Sequence, residues 1–106
     1  MRLDIRSRGL ESSHASTIER RLRFVLGRFG TRVGRVRVLL ADLSREHPGT
    51  VIRCQIVARL TPTGEVCVDV TESDLHVAWN RAVDRIGPAI SRELKRRRDA
   101  RGYRLR

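Results

Sequence analysis

Alternation of apolar and polar residues predicts four β-strands in this chain. The first two strands span residues 2–6 and 34–42, and their inward residues are Leu3, Ile5, Val36, Val38 and Leu40. The other two have the inward residues Ile52, Cys54, Ile56, Ala58 and Leu60, then Val66, Val68 and Val70. Successive side chains of a strand point to opposite faces, so each strand is apolar on one face only. The turn residues of the segment 61–64, Thr-Pro-Thr-Gly, predict a hairpin between the last two strands.

Two other stretches repeat their apolar residues every three or four positions, which is the spacing of one helix face. The first contains Ala15, Ile18, Leu22, Val25, Leu26 and Phe29. Ser13 can cap this helix at its N-terminus, and Ser16 with Glu19 offers a capping box one turn later. Gly30 suits the C-terminal cap.

The second helical stretch is longer, and its apolar residues are Leu75, Ala78, Trp79, Ala82, Val83, Ile86, Ile90 and Leu94. Ser73 is predicted to cap it, with Asp74 well placed near the positive end of the helix dipole. Gly87 and Pro88 interrupt the pattern, because an interior proline costs about 3 kcal/mol. We expect a kink there rather than two helices, since Ile90 and Leu94 keep the apolar phase. Trp79 is assigned to the core.

These elements predict an α+β fold with the order β-α-β-β-β-α. The first strand and the strand after the helix should be parallel neighbours, and short turns make the remaining pairs antiparallel. Two helices must then cover one face of a four-stranded mixed sheet, a layout like that of double-stranded-RNA-binding domains. We expect residues 1–98 to form one RNA-binding domain and residues 99–106 a basic, mobile tail.

Charge points to a polyanionic partner. The formal net charge is +11, and 22 of the 23 basic residues are arginine, Lys95 being the exception. On the second helix, Arg81, Arg85, Arg92 and Arg96 fall in one sector away from the apolar stripe, at about 100° per residue. The helix residues predicted to contact RNA are Arg20, Arg23, Arg28, Arg81, Arg85, Arg92, Lys95, Arg96, Arg97 and Arg98.

Other arginines of the strands are predicted to point outward from the sheet, namely Arg2, Arg6, Arg35, Arg37, Arg53 and Arg59. They are as well explained by a solvated sheet face as by binding. Exposed aromatic residues are nearly absent, Tyr103 being the clear candidate. This favours recognition of RNA backbone and shape over stacking on unpaired bases.

The sequence does not favour catalysis or metal binding. Cys54 and Cys67 lack a metal-binding spacing, the three histidines are far apart, and the aspartates are scattered. If Ile56 pairs with Val70, the two cysteines lie on opposite faces of the sheet and cannot form a disulfide. We expect a non-enzymatic monomer with no cofactor, metal, membrane or small-molecule partner. With no apolar run of about 18 residues and a first segment that alternates like a strand, a cytoplasmic location is expected.

Two segments resemble the short ribosome hibernation-promoting factor and ribosome-associated inhibitor family. Residues 74–85, Asp-Leu-His-Val-Ala-Trp-Asn-Arg-Ala-Val-Asp-Arg, are similar to the family's Asp-hydrophobic-aromatic-Ala-Ala-Ile-Asp pattern with a later Asp-Lys/Arg. Residues 21–29 are similar to its first helix, and the likeness covers residues 2–98. The chain departs from the family at Pro88, where Arg or Lys is common, and at Arg92-Glu93-Leu94, where Lys-x-Lys is common.

The resemblance implies binding to the small ribosomal subunit and its 16S-type ribosomal RNA. Family members lie in the channel for mRNA and tRNA and hold idle ribosomes inactive under stress. By position, Arg20, Arg23, Arg28, Arg85 and Arg92 fall in or near the family's basic sites. Two alternatives remain open: a general double-stranded RNA-binding module, and a basic adaptor for an acidic protein or a membrane surface.

Overall fold

A computed structural model describes the backbone of residues 1–10 and 14–104, and the side chains as far as residue 100. Its elements are β1 (Arg2–Arg8), α1 (Ala15–Leu26), β2 (Val33–Asp42), β3 (Ile52–Leu60), β4 (Glu65–Glu72) and α2 (Leu75–Arg104). A short 3₁₀ helix, Gly27–Arg32, joins α1 to β2. The predicted α+β fold and its β-α-β-β-β-α order are therefore confirmed.

The four strands form one mixed sheet in the order β1-β2-β3-β4. β1 and β2 are parallel, whereas β2–β3 and β3–β4 are antiparallel, as predicted. The assumed pairing of Ile56 with Val70 is wrong, because Ile56 pairs with Val68 and Cys54 with Val70. The difference is two residues, which leaves every side chain on its predicted face.

One layer of two helices covers the inner face of the sheet. The buried residues include the whole inward row of β3, and from the helices Ile18, Leu22, Leu26, Ala78, Trp79, Ala82, Val83, Ile86 and Ile90. Full burial of a Leu or Ile side chain is worth about 1.5–3 kcal/mol, so this apolar contact dominates the stability. Trp79 belongs to the core, as predicted, with 5% of its surface exposed.

The ends of α1 differ from the prediction. His14 is the N-terminal cap residue and makes no side-chain capping hydrogen bond. The Ser16–Glu19 box therefore does not start the helix, and Ser13 lies outside the described residues. At the other end α1 stops at Leu26, and the chain continues as the 3₁₀ helix. Gly30 lies within that segment with φ +56°, a conformation that favours glycine.

The start of α2 is capped by Asp74 rather than Ser73. The Asp74 carboxylate accepts a hydrogen bond from the backbone N–H of Val77 at 3.1 Å. The helix then runs without interruption through Pro88 to Arg104, so it does not split into two segments. Residues 99–104, which belong to the predicted basic tail, continue the helix. The mobility of the tail stays a prediction, and residues 105–106 lie outside the described part.

The two helices lie side by side and run in the same direction. Arg21 on α1 meets Asp84 on α2 at 2.7 Å, and Arg28 meets Ser91 at 3.1 Å. Between these contacts the helices approach closely at Gly87, where an added Cβ would lie 3.2 Å from a methyl carbon of Val25. Gly87 therefore allows α1 and α2 to pack closely side by side in one layer.

Candidate nucleic-acid interface

The basic residues of α2 fall into two groups. Arg81 forms an ion pair with Glu72 of β4, and Arg96 pairs with Glu93 at 2.7 Å. By contrast, four exposed basic residues have no carboxylate partner among the described side chains: Arg85, Arg92, Lys95 and Arg98. Their charge is not neutralised within the protein, so it attracts an external anion most strongly.

Arg97 has contacts within the protein. It donates a hydrogen bond to the carbonyl oxygen of Thr63 at 2.6 Å and another to Glu93 at 3.2 Å. It also covers Gly64, where an added Cβ would overlap its guanidinium. Arg97 thereby holds the C-terminal part of α2 against the β3–β4 turn. The hydrogen bond from Arg96, followed by that from Arg97, lowers the pKa of Glu93. The predicted contact of Arg97 with RNA stays a prediction.

The basic residues of α1 and of the 3₁₀ helix that follows it also divide into paired and unpaired side chains. Arg23 donates to Glu19 at 3.1 Å, whereas exposed Arg20 has no acidic partner among the described side chains. Arg28 donates to the hydroxyl oxygen of Ser91, and its guanidinium lies 4.7 Å from the centre of the Phe29 ring. Neither contact neutralises the charge of Arg28.

Phe24 is the residue of this surface that sequence reasoning missed. Its side chain is 87% exposed, and it lies at i+4 from Arg20 and i−4 from Arg28. Residues spaced by four lie in one row on a helix, so the ring lies beside Arg20 on α1, and Arg28 follows in the 3₁₀ helix. A shallow, mostly apolar hollow at this point is lined by Thr17, Arg20, Arg21 and Phe24. The signal in the sequence was that Phe24 is out of phase with the apolar stripe of α1.

We call the resulting surface the helix face. It comprises five exposed side chains of the two-helix layer and the neighbouring Arg28, namely Arg20 and Phe24 on α1, Arg28 on the 3₁₀ helix, and Arg85, Pro88 and Arg92 on α2. Its four arginines have no acidic partner among the described side chains; Lys95 and Arg98 lie further along α2. Arg21 links α1 to α2, because it donates hydrogen bonds to Asn80 and Asp84 and its guanidinium lies 5.9 Å from the Trp79 ring. Guanidinium groups bind phosphate through two parallel hydrogen bonds, so the helix face has the chemistry of a phosphate-binding surface.

The opposite side of the sheet also carries arginines, as predicted. Arg2, Arg6, Arg35, Arg37 and Arg59 are exposed there and Arg53 is half-exposed. Arg53 binds both oxygens of Asp69, with a shortest distance of 2.5 Å. This hydrogen bonding lowers the pKa of Asp69. The sheet therefore presents a second basic surface, separated from the helix face by the protein core.

The described residues give little support to metal binding, thiol chemistry or membrane insertion. Their His, Cys, Asp and Glu side chains form no group of three that could hold a metal ion. Cys54 is buried and Cys67 exposed, and both are free thiols on opposite faces. Burial raises the pKa of Cys54 to about 12, which makes it unreactive. None of the described helices is long and apolar enough to cross a membrane.

Comparison with known proteins identifies the fold. A ribosomal subunit interface protein from Coxiella burnetii superposes with a TM-score of 0.72 and 11% identity, covering 90% of this chain and 99% of that one. The N-terminal domain of Protein Y from Thermus thermophilus gives a TM-score of 0.64 and 24% identity, covering 87% and 98% of the two chains. No protein-family model and no curated protein sequence matches the chain. The chain thus has the fold of these two proteins over nearly its whole described length.

Proposed function

We propose that this protein is a cytoplasmic, non-enzymatic factor that binds ribosomal RNA of the small subunit in the channel for tRNA and mRNA. The observation that carries the proposal is the helix face, because its arginines are exposed on the helix layer and have no acidic partner among the described side chains. The shared fold with a ribosomal subunit interface protein and with Protein Y supports the ribosome as partner. So does the family resemblance of residues 74–85 and 21–29.

The mechanism has two parts. The guanidinium groups of Arg20, Arg28, Arg85 and Arg92 neutralise phosphates of the RNA backbone, which releases counterions and supplies affinity. The bound domain then occupies the space that tRNA and mRNA need, so translation is restrained and idle ribosomes are preserved. Phe24 adds a contact that phosphate binding alone does not give, because an exposed aromatic ring beside Arg20 can stack on an unpaired base.

Sedimentation with purified small subunits tests the proposal. The wild-type protein should co-sediment at low salt, and the double variant R85Q/R92Q should bind more weakly. Loss of two phosphate contacts should lower the slope of log affinity against log salt concentration by about 1.4–1.8. The salt dependence of the affinity then falls by a factor of roughly 25–60 for each tenfold change in salt. The matched control is R23Q/R96Q, which removes the same charge from arginines that already have glutamate partners.

Three outcomes would count against the proposal. Absence of the protein from the small-subunit fraction at low salt would refute it. Equal weakening by R85Q/R92Q and R23Q/R96Q would mean that net charge, and not the helix face, drives binding. Binding to an isolated RNA duplex as tight as binding to the subunit would instead favour a general double-stranded RNA-binding module.

A further inference from the structure

The outer face of the sheet places like charges directly beside one another. Arg35 on β2 has Arg2 of β1 as its partner on one side and Arg59 of β3 on the other. Three arginines therefore form one row across three strands. Like charges directly opposite in a sheet are destabilising, so the pair Arg2–Arg35, which lacks an acidic neighbour within ion-pair distance, weakens the fold unless an anion lies over it.

Carboxylates neutralise the basic residues of this face unevenly. Arg53 binds Asp69 at 2.5 Å, Arg6 lies 3.5 Å from Asp4, and Arg59 lies 3.9 Å from Glu65. Among the described side chains of β1 and β2, four arginines of this face have no acidic partner within ion-pair distance: Arg8 at the end of β1, and Arg2, Arg35 and Arg37. We call Arg2, Arg35 and Arg37 the sheet arginine cluster.

A groove lies beside the sheet arginine cluster. It has a volume of about 370 Å³ and is lined by Asp4, Arg6, Arg35, Arg37, Val38, Leu39, Gln55 and Val57. Arg35, Arg37 and Val57 also line a smaller adjoining hollow of about 90 Å³. Leu39 and Val57 are half-buried, so the groove combines an apolar floor with one amide and three guanidinium groups. Its one carboxylate, Asp4, lies 3.5 Å from Arg6, so the groups lining the groove keep a net positive charge.

These groups match one class of ligand. Guanidinium groups pair with phosphates and also stack on bases through their flat faces. An apolar floor accommodates the base or sugar, and an amide such as that of Gln55 can hydrogen-bond to a base edge. We propose that the sheet arginine cluster and its groove form a second RNA-binding site, which takes a single-stranded RNA segment by its phosphodiester backbone. Because this site and the helix face lie on opposite sides of the molecule, one copy can hold two RNA segments at once.

A direct test measures binding of a fluorescein-labelled oligouridylate by anisotropy. The full chain carries R20Q, F24A, R28Q, R85Q and R92Q in every sample, which removes the phosphate contacts and the exposed ring of the helix face. In that background R37Q should lower the slope of log affinity against log salt concentration by about 0.7, and R35Q/R37Q by about 1.4. For each tenfold change in salt, the salt dependence of the affinity should fall roughly 5-fold and 25-fold. The matched control R53Q removes an arginine already held by Asp69 and should change the slope little.

Separate readouts keep the test decisive. Thermal unfolding should show that R35Q raises the melting temperature, because it relieves the row of like charges. Equal loss of affinity in R37Q and R53Q would overturn the proposal, as would oligouridylate binding unchanged in R35Q/R37Q. Displacement of the oligouridylate by polyglutamate at equal charge concentration would also overturn it, in favour of an acidic protein partner. None of these results depends on binding of the helix face to ribosomes.

Discussion

Replacement of Pro88 by alanine should stabilise this protein. Pro88 lies well inside α2, far from both Leu75 and Arg104, and its side chain is exposed. The substitution therefore removes no buried contact, and it restores a backbone N–H to the helix. Proline is about 3 kcal/mol less favourable than alanine in a helix interior. Proline also restricts the unfolded chain, which offsets about 0.4–1 kcal/mol of that difference.

The net expectation for Pro88→Ala is about 2 kcal/mol of added stability. At this chain length the change corresponds to a rise in melting temperature of roughly 8 °C. Thermal unfolding followed by circular dichroism measures it, and Arg85→Ala, at an exposed position of the same helix, is the control with almost no expected change. An unchanged or lower melting temperature for Pro88→Ala would refute the reasoning. It would show that Ile90 and Leu94 pack correctly only in the geometry that proline imposes.

Three further results are expected. Asp74→Ala should cost about 1 kcal/mol because it removes the N-terminal cap of α2, whereas Ser73→Ala should leave the unfolding curve unchanged; the reverse order would contradict the assignment of the cap. Ellman's reagent at a pH of about 8 should modify exposed Cys67 and leave Cys54 intact, since the Cys54 pKa is raised to about 12 by burial; rapid reaction of both thiols in the native protein would contradict this. Phe24→Ala should leave stability within about 0.5 kcal/mol yet weaken small-subunit binding by about 1–3 kcal/mol if the ring stacks on a base, and Phe24→Trp should retain binding; equal affinity of Phe24→Ala and wild type would exclude stacking.

The fold could be predicted from the sequence because its apolar periodicity is strong. Each strand is apolar on one face, and the buried stripes of α1 and α2 repeat without gaps through Ile18 and Leu22, and through Ile86 and Ile90. The β3–β4 register could not be predicted in the same way. A shift by two residues leaves the apolar face unchanged, so the pattern does not distinguish Ile56–Val70 from the observed Ile56–Val68 pair.

The ends of helix α2 were predicted less well, because the sequence pattern there also allows more than one structure. Ser73 and Asp74 are both good cap residues, and only the position of the first helical turn decides that Asp74 bonds to Val77. The helical backbone beyond Arg98 also escaped prediction. Residues 99–104 have no apolar periodicity. They extend a helix whose earlier turns pack on the sheet, so they can be helical without an apolar face of their own.

The candidate site was predicted as a set of basic residues but not as a surface. The sequence shows that Arg85 and Arg96 share a sector of α2, but it does not show that Arg96 is paired with Glu93 while Arg85 is unpaired. Ion pairs that cross between elements, such as Arg21 with Asp84, depend on the packing of two helices. Phe24 was overlooked because exposed aromatic residues were sought outside the helices, where Tyr103 was named, although Phe24 lies outside the apolar stripe of α1.

Competition on the small subunit tests the central claim most directly. Labelled protein is added to purified small subunits that are empty or already carry mRNA and tRNA, and bound protein is measured after sedimentation. If the helix face binds in the tRNA and mRNA channel, filled subunits should exclude the protein, and excess protein should release tRNA from them. Equal binding to empty and filled subunits, with mRNA and tRNA retained, would contradict the proposed site.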